Sequence, residues 1–121
     1  MSEAFFDTNI LIDWLGDRPE ATAELKLYSR YRISRIVWAE VLAGEPPATR
    51  KTVQRLIEPF EIVEVDADVA ARAADVRHHS RVKLMDALIY ATAQTYGAVL
   101  VTRNTKDFPA TMPGIRIPYQ L

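Results

Sequence analysis

Nine residues near the start, Phe5-Phe6-Asp7-Thr8-Asn9-Ile10-Leu11-Ile12-Asp13, constrain the fold more than any other stretch. Phe5 and Phe6 are aromatic strand formers. Asp7, Thr8 and Asn9 are capping residues that can end a strand and open a helix. Ile10, Leu11, Trp14 and Leu15 then recur at helical spacing. A carboxylate where a strand ends and a helix begins sits at the ligand crevice of an open α/β sheet. Taken alone, Asp7 is equally well read as a plain helix cap.

The pattern repeats along the chain. After strand 3–6 and a helix from Asn9 to about Gly16, Pro19 and Glu20 open a second helix expected to reach Arg30, with Leu25, Leu27 and Tyr28 as its apolar contacts. Residues 31–34 read as a second strand, with Ser34 capping a helix whose apolar side is Ile36, Val37, Trp38, Val41 and Leu42. Gly44 and Pro46-Pro47 stop that helix. A basic amphipathic helix (48–57), a strand (60–65) and an alanine-rich helix (to His79) capped by Asp66-Ala67-Asp68 follow. The next helix, from Leu84 to Tyr96, is closed by Gly97, and Ala98 to Thr102 is a β-branched run suited to a strand buried on both faces. Residues 115–117 complete the series as a last strand. Strands alternating with helices predict a three-layer α/β/α sandwich with a mainly parallel central sheet.

The 121 residues suit one domain, 1–121. A chain 49% hydrophobic and 26% charged is ordinary for a globular protein. No apolar run is long enough to cross a bilayer, and the first residues lack the basic and apolar regions of a signal peptide, so a cytoplasmic protein without a membrane partner is expected. The chain has no cysteine, which excludes disulfides, zinc–thiolate centres and cysteine nucleophiles. A net charge of -1 selects no polyanionic partner by itself.

Two acids stand alone in apolar helices: Glu40 within Val37-Trp38-Ala39-Glu40-Val41-Leu42, and Asp86 within Leu84-Met85-Asp86-Ala87-Leu88-Ile89. A carboxylate in such a setting loses hydration unless it is paired, metal-bound or protonated. Singly, Asp86 could cap its helix and Glu40 could face solvent. Together with Asp7 and the polar segment after Thr102, they define converging carboxylates at the carboxyl edge of a parallel sheet. Such groups repel and call for a cation, and oxygen ligands without His or Cys suit Mg²⁺ or Mn²⁺. A hard ion of this kind orients water and neutralises charge on a phosphodiester, so metal-assisted phosphodiester hydrolysis is the implied chemistry.

Four segments carry a resemblance: residues 6–12 (FDTNILI), 38–44 (WAEVLAG), 85–93 (MDALIYATA) and 100–108 (LVTRNTKDF). In order and spacing they resemble the motifs of PIN domains and, among these, the VapC toxins of prokaryotic toxin–antitoxin pairs. The resemblance implies an α/β/α fold, Mg²⁺- or Mn²⁺-dependent endoribonuclease activity on RNA, homodimers, and neutralisation by a small VapB-like antitoxin. Carried over by position, Asp7, Glu40 and Asp86 are the metal-holding acids, with Thr8 and Asn9 beside the first. Many PIN domains have a fourth acid two residues after the closing Thr, where this chain has Asn104. Asn104 is therefore expected in the catalytic site, Asp107 in its outer shell, and one metal ion rather than two. The departure also keeps open a PIN-like protein that binds RNA or a partner without cutting.

Arg77, Arg81 and Lys83 lead into Asp86, and Arg103 and Lys106 flank Asn104. A cationic rim around an anionic centre is what a nuclease needs, and Arg81, Lys83 and Arg103 are the expected RNA contacts, against the alternative of a plain solvated face. His78 and His79 have no third ligand and read as surface residues. Asp13, Asp17, Asp66, Asp68 and Asp75 are set aside as caps or helix-surface acids.

Overall fold

A computed structural model describes residues 3–121. Five strands form one sheet in the order β3-β2-β1-β4-β5: β1 (Glu3–Phe6), β2 (Arg30–Ser34), β3 (Glu61–Val63), β4 (Val99–Val101) and β5 (Ile115–Arg116). Every pairing is parallel, with Phe5 opposite Arg32 on one side and Leu100 on the other. The helices are α1 (Thr8–Leu15), α2 (Pro19–Leu25), α3 (Arg35–Ala43), α4 (Arg50–Leu56), α5 (Ala67–His79) and α6 (Leu84–Thr95). The chain steps from β1 to β2 to β3 in one direction, then returns across the sheet to β4. Right-handed crossovers therefore put α1–α4 on one face and α5 and α6 on the other. The strand order reverses between β1 and β4, and a crevice opens there at the carboxyl ends.

β1 is central and Ala4, Phe5 and Phe6 are fully buried, as expected of a strand covered on both faces. Phe6 packs edge-on against Tyr28 and Phe60, with ring centres 5.6 and 6.0 Å away, and Trp14 of α1 meets Phe60 edge-on at 5.2 Å. Phe5 points to the opposite face and meets Tyr96 at 6.0 Å. The Arg32 guanidinium lies over both rings, at 4.9 and 4.5 Å, so a buried cation lines the α6 side of the sheet.

The caps form where their residue types imply. Ser34 accepts from the backbone N–H groups of Ile36 and Val37, and Asp66 from that of Val69. Gly97 takes φ +66° and turns α6 into β4, a left-handed conformation that glycine adopts without the strain a Cβ brings. The largest departure from the expected boundaries is between α2 and β2. α2 ends at Leu25, and Arg30 belongs to β2, because Arg30 pairs with Glu3 and Glu61 on the neighbouring strands. Leu27, expected as an apolar contact, is exposed, while Tyr28 turns inward onto Phe6 and donates to Glu24 at 2.8 Å.

Candidate active site

Asp7 ends β1 and caps α1 in extended geometry. Its backbone N–H donates to the Val101 carbonyl at 2.9 Å, which ties it to β4. One carboxylate oxygen accepts from the Thr8 N–H at 2.8 Å, and the other from the Thr102 hydroxyl at 2.7 Å and the Asn9 amide at 3.3 Å. Only 4% of Asp7 is exposed. Burial raises its pKa; the Thr102 and Thr8 hydrogen bonds oppose that shift without cancelling it, and Glu40 adds to it. Asp7 is thus both the cap and a group for which being charged is unfavourable.

Glu40 reaches the same crevice from α3, where its Oε1 accepts from the Thr8 hydroxyl at 2.5 Å. Asp86 arrives from α6. The cap of that helix is Lys83, so Asp86 lies inside the first turn rather than capping it. Among the described residues its carboxylate accepts no hydrogen bond. A helix amino terminus favours a negative charge, yet Asp86 has its pKa pushed up to about 6, first by burial and then by Asp7, Asp107 and Glu40. Four acids from four separate segments therefore converge on one place. Among the described residues none of Asp7, Glu40, Asp86 or Asp107 forms an ion pair with a lysine or arginine.

Asn104 and Asp107 act as a unit. The Asn104 amide donates to the Asp107 carboxylate at 2.9 Å, its side-chain oxygen accepts from the Asp107 N–H at 3.2 Å, and its own N–H donates to the Thr102 hydroxyl at 3.0 Å. Asn104 thereby braces the loop after β4 and aims Asp107 toward the acids. Asn9 bridges Asp7 and Thr102 and accepts from the Arg103 N–H at 3.2 Å.

Two residues hold positions that the sequence did not suggest. Thr102, fully buried, joins Asp7, Asn9 and Asn104 through one hydroxyl. The only signal for it is a hydroxyl closing an apolar strand just before the Asn104 segment. Asp13, set aside as a helix-surface acid, is buried and accepts two bonds from Arg103, at 2.6 and 2.8 Å, and one from Tyr119 at 2.8 Å. Arg103, expected as an RNA contact, gives its guanidinium to Asp13, a buried carboxylate that needs a partner. Arg81 and Lys83 are exposed, as are His78 and His79. Trp38 is half-buried beneath the Arg35 guanidinium at 4.6 Å.

Among the described residues no group of three His, Cys, Asp or Glu side chains is arranged so as to hold a metal ion. The donor chemistry nonetheless fits a hard divalent ion. All the donors are oxygens, they repel one another, and Asp86, with no hydrogen bond to break, is the arm that can close on an ion.

These features define an α/β/α protein with an all-oxygen anionic site at its topological switch point. The chain belongs to the PIN domain family, whose model matches residues 4–111. Over 82 residues, 64% of this chain, it is 37% identical to Ribonuclease VapC10 of Mycobacterium tuberculosis (strain CDC 1551 / Oshkosh), and the match spans 62% of that protein's length. A toxin–antitoxin complex from Klebsiella pneumoniae contains a chain that is 41% identical, with a TM-score of 0.89 over 98% of this chain and 99% of that one. DNA-bound VapBC from Salmonella typhimurium gives a TM-score of 0.78 at 26% identity, covering 97% of each chain. FitAcB from Neisseria gonorrhoeae gives 0.76 at 26%, covering the whole of each chain.

Proposed function

We propose that this protein is a Mg²⁺- or Mn²⁺-dependent endoribonuclease and the toxin of a toxin–antitoxin pair. It acts in the cytoplasm as a homodimer, with residues 1–121 as one nuclease domain, and a small VapB-like antitoxin neutralises it. The observation that carries this reading is the convergence of Asp7, Glu40, Asp86 and Asp107, none of which is in an ion pair with a lysine or arginine among the described residues. The likeness to Ribonuclease VapC10 and to chains in toxin–antitoxin complexes supports the substrate class and the partner.

Asp7, Glu40 and Asp86 would hold one ion, with Asn104, Asp107, Thr8 and Asn9 around them. When bound, the ion supplies polarisation of water and neutralisation of charge on the phosphodiester. The chain's own part is positioning. Thr102 and the Thr8 N–H hold the Asp7 carboxylate in one orientation, and the Thr8 hydroxyl does the same for Glu40. Asp86, its pKa pushed up to about 6, loses its proton just below neutrality and becomes available as a ligand. Arg81 and Lys83 draw the RNA backbone toward the crevice.

The test is cleavage of a structured RNA in Mg²⁺ by wild type and Asp7→Asn, with single-stranded DNA as a parallel substrate. Wild type cuts RNA, and both Asp7→Asn and chelation stop it. Equal, negligible cutting by both proteins would favour a PIN-like protein that binds RNA or a partner without cleaving.

A further inference from the structure

Beside the acids lies a concavity of about 530 Å³. It opens between the segment joining α5 to α6 and the long loop after β4. Its walls include Arg81, Val82, Lys106, Pro109, Thr111 and Met112. Asp107 lines it too, so the concavity and the acidic crevice share a wall. The volume is in the range of about 300–1,000 Å³ usual for a small-ligand site.

Three observations bear on the occupant. Val82 is buried, and with Pro109 and Met112 it makes an apolar surface broad enough for a planar ring. Arg30, Arg32, Arg35, Arg103 and Arg116 each hold a carboxylate, whereas among the described residues Arg81 and Lys106 hold none. The one anion in the wall, Asp107, is fastened by Asn104 at the end nearest the crevice. An apolar floor flanked by two cations that hold no carboxylate is complementary to a base and its phosphate.

We propose that this groove is a nucleotide subsite of the RNA, taking the base next to the cut on Val82, Pro109 and Met112 and its phosphate on Arg81 and Lys106. This rests on the nuclease reading above. Lys106 contributes charge and binds all sequences alike, whereas the apolar floor discriminates between bases. The two contributions are therefore separable.

The probe is a fluorescent single-stranded RNA pool randomised at six positions, followed by anisotropy over a salt series and by sequencing of cleaved ends in Mg²⁺. Lys106→Ala weakens binding severalfold, lowers the salt slope by about one, and leaves the base preference intact. Met112→Ala keeps the salt slope and flattens the preference at one position beside the cut. Its circular dichroism and melting curve show whether it is folded, and Thr111→Ala, at an exposed wall position, is a second probe of base preference that leaves the floor in place. Lys26→Ala, the same change of charge in the turn between α2 and β2 and outside the groove, behaves as wild type. If Lys106→Ala binds and cuts as Lys26→Ala does, and Met112→Ala and Thr111→Ala keep the wild-type base profile, the groove is not a subsite, while the nuclease reading stands. If wild type binds RNA without cutting it, the nuclease reading fails, and anisotropy alone still decides the groove. If wild type neither binds nor cuts RNA, both are overturned.

Discussion

The surroundings of Asp7 disfavour its charged form. Burial in the crevice raises its pKa, and two good hydrogen bonds only partly offset the rise. Such a site trades stability for activity. Asp7→Asn removes the charge while leaving Thr102 a partner. In the absence of metal this variant should melt at or above the wild-type temperature at pH 7, while RNA cleavage falls by more than the roughly 10- to 100-fold typical of an outer-sphere change. A lower melting point for the variant would mean that the charge is structural. Asn104 plays a different part, because its amide groups hold Asp107 rather than pointing freely into the crevice. Asn104→Ala should weaken Mn²⁺ binding by about 10- to 100-fold in calorimetric titration, with the fold intact. Unchanged affinity would remove Asp107 from the site.

At the scale of elements, the most consequential link is the one that fastens the tail to α1. Asp13 on α1 receives Arg103 from the loop after β4 and Tyr119 from beyond β5. Arg103 also carries the backbone N–H that Asn9 receives, so this ion pair holds the loop carrying Asn104 and Asp107 in register with Asp7. Tyr119→Phe removes one hydrogen bond and should cost about 0.5–1.5 kcal/mol in urea unfolding. Asp13→Ala leaves the half-buried Arg103 without its acceptor and should cost about 1–3 kcal/mol. It should also lower cleavage, although Asp13 lies outside the acid cluster. Equal costs for the two variants would show that Arg103 readily finds solvent.

Across the whole molecule, two sets of carboxylates respond to pH in opposite senses. Asp86 has its pKa raised from 3.8 to about 6, so between those values the folded protein binds a proton that the unfolded chain does not. Without metal, stability therefore falls as pH rises through this window, and the loss is complete above it. Asp13 and Glu24 are lowered. Arg103 does this to Asp13, and for Glu24 the Arg116 and Tyr28 hydrogen bonds outweigh a burial effect in the other direction. Their contribution is present above their ordinary values and is lost as pH falls below about 4. From these groups, the metal-free protein should melt highest between about pH 4 and 6. Saturating Mn²⁺ should raise the melting temperature more at pH 7 than at pH 5, because ligands must be deprotonated to bind. An Mn²⁺ effect independent of pH would take Asp86 out of the ligand set.

Periodicity and chain-end chemistry determined most of the architecture. Buried β-branched and aromatic runs separated by amphipathic helices leave few solutions other than a covered parallel sheet, and Asp7, Ser34, Asp66 and Gly97 punctuate it by local rules that hold in any context. Glu40 and Asp86 were legible as lone charges in apolar helices, and Asp7 as a carboxylate where a strand ends and a helix begins. The partnerships were decided only when the chain closed. Arg103 and Asp13 are 90 positions apart, and Thr102 and Asp7 are 95 apart. Which cation meets which carboxylate depends on distances between elements, and those are set by packing rather than by sequence spacing. The Arg103–Asp13 pair is therefore invisible in the sequence, where Arg103 stands only beside Asn104.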